Sequence, residues 1–171
     1  MENKVIVVGY GGSGKDYLVD KLVTEKGMKR SVSYTTRPMR KGEKNGTIYN
    51  FVDKETFIKM VENGEFHEWE EFKQGWYYGC TKESFEECDL FIKTVGGLSQ
   101  MTKENRKKCT VVFLDIPKEV ILERLNERND NNDDSIRRME ADERDFKDFD
   151  DYDIRIYDPL FDYEVIYSLL I

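Results

Sequence analysis

Four glycines and a lysine stand close together near the start of the chain, as Gly9-Tyr10-Gly11-Gly12-Ser13-Gly14-Lys15. Glycines at this spacing let successive backbone N–H groups converge on phosphate oxygens, and the lysine adds a point charge for the outer phosphates. The chemistry on offer is capture of a polyphosphate. The strict form of such a loop continues with Ser or Thr, and here Asp16 follows. A carboxylate there can hold Mg²⁺ directly or through water. It can equally be a first-turn acid that suits a helix dipole. A second group of charges comes later: Arg37 and Arg40, then Arg124 and Arg128, then Arg137 and Arg138. Arg37 and Arg40 can fork onto a phosphate. Taken alone, with Lys41 and Lys44 beside them, they also read as an exposed basic turn.

Elements must exist to position these groups. Val5 to Val8 is a short apolar run that reads as a buried strand ending at the glycine loop. Lys15 to Lys26 then reads as a helix with Leu18, Val19, Leu22 and Val23 on one side and Gly27 as its stop. A strand is expected near Lys29 to Ser33. Asn45-Gly46 carries a hairpin signal, and Thr47 to Val52 looks extended. Asp53 can cap a helix bearing Phe57, Met60 and Val61. A second hairpin is expected around Gln74-Gly75, between Phe66–Phe72 and Trp76–Gly79. Leu90 to Val95 and Thr110 to Ile116 read as strands, with helices over Leu98–Lys107 and Lys118–Arg128. After the polar break Asn129 to Asp133, Asp134 or Ser135 can cap a long helix carrying Ile136, Met139, Phe146 and Phe149. Ile154 to Tyr157 reads as a last strand. Asp158 and Pro159 suit the start of a terminal helix. Repeated β–α units imply an α/β fold, a parallel sheet with helices on both faces.

Composition limits the possibilities. The chain has 171 residues, enough for one domain with a small insertion. Its 35 acidic against 27 basic residues give a formal charge of −8, which disfavours a nucleic-acid coat. The longest aliphatic run, Val5 to Val8, is far short of the roughly 20 residues a membrane span needs. No secretory signal is recognised. Cys80, Cys88 and Cys109 form no metal-type spacing, so a reducing cytoplasm is the expected setting.

A longer stretch is more specific. Ser31-Val32-Ser33-Tyr34-Thr35-Thr36-Arg37-Pro38-Met39-Arg40-Lys41-Gly42-Glu43 is followed by Tyr49-Asn50-Phe51, then Gly64-Glu65-Phe66-His67-Glu68-Trp69, then Tyr77-Tyr78-Gly79. This resembles the acceptor region of guanylate kinases, and Arg124…Arg128 with Arg137-Arg138-Met139 resembles the lid of that family. The resemblance implies a P-loop core over 1–32 and 81–171 with a lid at about 124–140. It implies a nucleoside monophosphate-binding insertion over 33–80. The implied reaction moves the γ-phosphoryl of ATP, with Mg²⁺, to GMP or dGMP. The residues implied to contact ATP are Gly9, Gly11, Gly12, Ser13, Gly14, Lys15, Asp16 and Tyr17. Those implied for the acceptor are Ser33, Arg37, Arg40, Glu43, Tyr49, Glu68, Tyr78, Cys80 and Thr94. Lys15, Arg37, Arg128 and Arg138 are the implied catalytic residues, Arg124 is a weaker candidate, and Asp16 is the candidate metal ligand. ATP and the monophosphate are the implied partners of a monomer or homodimer, without nucleic acid or membrane.

The chain also departs from that pattern. Ser33 and Glu68 match two of the family's guanine contacts, but Cys80 stands where a hydroxyl is usual. Ile92 and Thr94 stand where two aspartates are usual, one near the metal and one near the base. These departures keep a second reading open, a kinase for another nucleoside monophosphate. A third reading is a non-catalytic binding module of the same fold, against which the retained Lys15, Arg37, Arg40, Arg128 and Arg138 speak. Val111 to Asp115 mimics a second nucleotide motif and is read as a plain strand end. His67, the only histidine, is given no catalytic role.

Overall fold

The computed structural model describes residues 3–73, 75–128 and 132–171, with the side chains at 73 and 132–137 left aside. Strand β1 (Lys4–Gly9) runs into the glycine loop, and helix α1 (Lys15–Lys26) leaves it. Gly27 ends α1 in the left-handed region at φ 68°, and its N–H donates to Val23 O. A side chain there would strain the turn, which is why glycine stops the helix.

The next segment builds a small mixed sheet. Strand β2 (Ser33–Thr35) pairs parallel with β3 (Tyr49–Phe51), and helix α2 (Lys54–Glu62) follows. Asp53 caps α2 by accepting from Thr56 N–H, as expected. Strands β4 (Phe66–Lys73) and β5 (Trp76–Thr81) form an antiparallel hairpin, and the sheet order is β3-β2-β5-β4. Phe57 and Met60 of α2 bury against Phe66 and Tyr77 of this sheet.

The parallel sheet is then completed. Helix α3 (Lys82–Glu87) leads to β6 (Leu90–Ile92), and short helices α4 (Val95–Ser99) and α5 (Lys103–Arg106) lead to β7 (Cys109–Leu114). Helices α6 (Lys118–Glu127) and α7 (Asn132–Phe146) precede β8 (Ile154–Ile156) and the terminal α8 (Tyr163–Leu170). The order is β6-β1-β7-β8, all parallel. Alternate residues of β1 feed opposite cores. Val5 and Val7 join the layer under α1, α6 and α8, while Ile6 and Val8 join the layer holding Phe85, Leu98 and Phe113. Burial on both faces explains the unbroken apolar run. Among the described residues, no helix is long and apolar enough to cross a membrane.

Several sequence expectations need correction. Asn45-Gly46 makes a turn but no hairpin: Gly46, at φ 80°, donates to Tyr49 O, and β3 runs parallel to β2. A local turn signal cannot choose the strand's partner; the sheet does. The strand near Lys29 to Ser33 is a single bridge at Arg30, with regular pairing starting only at Ser33. Strand β6 stops at Ile92 because Thr94 caps α4, accepting from Gly97 N–H. The helix expected over Leu98–Lys107 is two short ones, split where Thr102 caps α5. Helix α7 begins before Asp134 and Ser135, so neither lies at its start, and their side chains and the break at 129–131 fall outside the described residues, as does Gln74. Phe149 lies beyond the end of α7 and packs on Phe113 at 5.2 Å. The terminal helix starts at Tyr163, capped by Asp162; Asp158 instead accepts from Leu160 N–H in the preceding turn.

Candidate active site

The glycine loop is held from three sides. Ser13 N–H closes it onto Tyr10 O at 3.1 Å. Arg124 Nη1 donates to Gly12 O and Nη2 to Pro159 O, which ties the loop to the α8 approach. Gly11 N–H donates to Asp142 Oδ2 of α7 at 2.8 Å. A Cβ on Gly11 would lie 2.5 Å from Arg138 Nε, so that guanidinium rests directly on the loop backbone.

Lys15 Nζ donates to Gly9 O at 2.7 Å and Tyr10 O at 2.8 Å. Burial, and then the nearby Arg138 charge, pull its pKa down to about 8. Above that pH the free lysine loses the charge that attracts phosphate. We therefore expect affinity for a polyphosphate anion to fall as pH rises through about 8, and a flat profile to pH 9.5 would contradict this. Stability has the opposite sign. The unfolded chain holds this proton up to about pH 10.5, so Lys15 makes the fold more stable as pH climbs between the two values.

Arg37 is buried and stacked over Tyr49 and Phe51, 5.4 Å from each ring centre. Its Nη1 and Nη2 donate to the two oxygens of Glu43 at 3.0 and 2.8 Å, and Nη1 also donates to Pro38 O. Glu43 in turn accepts from Arg40 N–H. An arginine has five N–H donors, and these bonds occupy three. Among the described residues Nε–H and the second Nη2–H have no partner, and they lie side by side on one edge of the guanidinium. Glu43 thus fixes the plane of Arg37 and leaves a fork for an anion. Burial pushes its carboxyl up, but the bonds and charges of Arg37 and Arg40 together hold it below the usual range.

Glu68 is buried and doubly held. His67 Nδ1 lies 2.9 Å and Lys93 Nζ 2.6 Å from the same oxygen, Oε2. Asn105 Nδ2 approaches His67 Nε2 at 3.1 Å; an amide nitrogen only donates, so Nε2 accepts and Nδ1–H donates to Glu68. Thr94 caps α4, its Oγ1 accepting from Gly97 N–H at 3.0 Å, and lines the same cavity as Glu70. Cys80 is buried beside Ser31, Sγ to Oγ 3.6 Å, and is off the cavity wall.

Two cavities meet here. One is lined by the glycine loop, Lys15, Asp16, Tyr17, Arg37, Arg40, Glu43 and Arg128. The other is lined by Ser33, Glu68, Glu70, Phe72, Tyr78, Lys93 and Thr94. Lys15, Tyr49, Ile92 and Arg138 lie on the walls of both. Six buried side-chain polar atoms lack a hydrogen-bond partner among the described residues. Ser13 Oγ, Glu70 Oε1, Tyr78 Oη, Lys93 Nζ and Arg138 Nε, five of the six, belong to this loop and these walls, Lys93 Nζ being ion-paired with Glu68 without a directed hydrogen bond. Buried polar groups are normally paired, so their concentration here marks a place shaped for a polar ligand.

A profile of guanylate kinases matches residues 1–166. The chain belongs to the guanylate kinase family. It is 36% identical over 132 residues to a guanylate kinase of Vibrio cholerae, covering 72% of this chain and 63% of that one. A Legionella pneumophila guanylate kinase is 49% identical over 76 residues, 44% of this chain and 36% of its own length. The chain thus spans less than two thirds of these curated relatives. The crystal structure of guanylate kinase from Anaplasma phagocytophilum superposes with a TM-score of 0.72 at 25% identity, covering 98% of this chain and 84% of that one. The four-stranded parallel sheet with its helices and the adjoining mixed sheet are the P-loop fold of the guanylate kinase family.

Within this guanylate kinase fold, the residues expected from sequence mostly converge. The loop residues, Arg37, Arg40, Glu43, Tyr49 and Arg128 come together at one cavity, and Ser33, Glu68, Tyr78 and Thr94 at the other. Cys80 stays apart, and Arg124 braces the loop from behind. Lys93, Glu70, Asp142 and Asp145 are cavity residues that sequence reasoning passed over. Signals existed: Glu70 follows Glu68 by two on a strand, and Asp142 follows Arg138 by four on a helix, so each shares its neighbour's face. Asp115, the end of the second apparent nucleotide motif, pairs with Arg155 instead. Among the described residues, no three His, Cys, Asp or Glu are placed to hold a metal ion.

Proposed function

We propose that this protein transfers the γ-phosphoryl of ATP to GMP or dGMP. The observation that carries the reading is the pair of cavities sharing Lys15, Tyr49 and Arg138 on one wall. Two anions that must meet in an acidic protein need such a junction of cations. ATP's phosphates would lie on the glycine loop, with Gly11 N–H released from Asp142. The acceptor phosphate would take the open edge of Arg37, with Arg40, Tyr49 and Tyr78 around it. Lys15, Arg128 and Arg138 would stabilise charge on the transferring group. The acceptor phosphate is already anionic, so positioning and charge suffice without a general base. In this reading residues 33–80 bind the acceptor and residues of about 124–140 close over the phosphates.

Mg²⁺ arrives with ATP. Asp16 is exposed on the wall of the phosphate cavity, paired only loosely with Arg30 at 3.5 Å, and so fits a role beside the metal. Glu43 is committed to Arg37, and Ile92 offers no ligand. We expect Asp16→Ala to raise the Mg²⁺ concentration needed for half-maximal rate several-fold; an unchanged titration would remove Asp16 from the metal.

A coupled ADP-release assay with Mg·ATP against GMP, dGMP, AMP, CMP, UMP and dTMP tests the reading. Turnover confined to GMP and dGMP is the expected result. The engagement of Glu68 by Lys93 favours a second reading, a kinase for another nucleoside monophosphate, and turnover on another acceptor would establish it. Absence of any turnover by folded protein would point to a binding module.

A further inference from the structure

The acceptor cavity contains a second carboxylate that no sequence match singles out. Glu70 lies on β4 two residues beyond Glu68, on the same face, and both line the cavity. Glu68 is largely neutralised by Lys93 at 2.6 Å. Among the described residues no cation is paired with Glu70. Its Oε1 is buried without a hydrogen-bond partner, and a Cβ on Gly96 would fall 1.5 Å from Oε2, so the carboxylate lies across the opening turn of α4. A carboxylate oxygen buried without a donor is costly, and a ligand N–H relieves that cost.

The chemistry of the cavity selects among bases. Glu68 Oε1 carries no bond among the described residues, since His67 and Lys93 both meet Oε2. Glu68 Oε1 and Glu70 Oε1 therefore make two open acceptors, and Lys93 Nζ, which lacks a directed hydrogen bond, is an open donor. A base edge that matches must present two adjacent N–H donors next to a carbonyl. Guanine does so with its 2-amino group, N1–H and O6. Adenine, cytosine and uracil each lack one part. The sheet register sets the order. Glu68 is opposite Cys80, and Glu70 is opposite Tyr78, whose ring packs against Tyr49 on the phosphate side. The 2-amino group is the donor nearer the sugar and phosphate, so it falls to Glu70, and N1–H falls to Glu68.

We propose that Glu70 is a specificity-determining residue that accepts a hydrogen bond from the 2-amino group of the acceptor guanine. The inference rests on the guanylate kinase reading above. It also accounts for how the pocket dispenses with hydrogen bonds from Cys80.

GMP and IMP separate the possibilities, because IMP keeps N1–H and O6 but lacks the 2-amino group. Glu70→Ala is expected to lower kcat/KM for GMP by at least tenfold, mainly through KM, while kcat/KM for IMP and KM for ATP stay within about twofold. Glu70→Gln keeps the shape and one neutral acceptor, and is expected to fall between wild type and Glu70→Ala on GMP alone. It serves as the test if the alanine variant folds poorly. Equal losses on GMP and IMP, or no loss on GMP, would overturn the assignment while leaving the kinase reading intact. A wild-type protein inert towards GMP would overturn both.

Discussion

Arg138→Ala is expected to lower kcat by roughly 10³-fold, with both Michaelis constants within a few-fold of wild type. A positioned arginine acting on a transferring phosphoryl group contributes about 10³ to 10⁵ in rate. Arg138 has the placement for that role. It lies on both cavity walls, its guanidinium presses on Gly11, and its Nε is buried without a partner. Burial opposes its charge, but Tyr78, Asp142 and Tyr49 around it outweigh burial and hold its pKa up. It therefore stays a cation throughout the working range. A second signature accompanies the rate loss. Arg138 is the leading charge that depresses Lys15, so its removal lets the Lys15 pKa rise from about 8. The alkaline fall in kcat/KM for ATP should move to higher pH in the variant. Rate measurements across pH check both effects. A loss below tenfold, or an unmoved alkaline limb, would place Arg138 outside the transfer site. Thermal unfolding belongs alongside, because the change leaves the buried Asp142 without its arginine.

Arg37→Lys is expected to raise KM for GMP by roughly 100-fold with a smaller effect on KM for ATP. Lysine keeps the charge, so the loss measures geometry. A charge-assisted hydrogen bond contributes about 1.5–3 kcal/mol, and the free edge of Arg37 offers two in parallel. The Glu43 fork and the stacking on Tyr49 and Phe51 orient that edge, and an ammonium reproduces neither. Initial-rate kinetics with each substrate varied in turn provide the check. If the lysine variant behaves like wild type towards GMP, Arg37 is a structural member of the Glu43 turn and nothing more.

What the sequence by itself determined is local. The glycine loop between a buried strand and a helix is contiguous from Gly9 to Lys15, so its chemistry shows in residue order. The Asp53 cap and the Gly27 stop depend on neighbours within a few residues and were equally visible. The alternating β–α pattern was enough for the fold class, because the period of apolar residues follows the element they form. The acceptor region was legible through resemblance, which assigned Ser33, Arg37, Glu68 and Tyr78 to one acceptor site.

Tertiary structure decided whatever joins distant segments. Strand β3 chose β2 as a parallel partner in spite of its hairpin-like turn, since pairing energy is set by the whole sheet. Lys93 reached Glu68 from the edge of one sheet to the face of another, and Asp142 reached Gly11 across the site. Glu70 had an unremarkable place in an acidic strand until the missing side chain of Gly96 gave its carboxylate room. Charges and hydrogen bonds act through space over a few ångströms, and a chain reveals such distances only once its strands have found their neighbours.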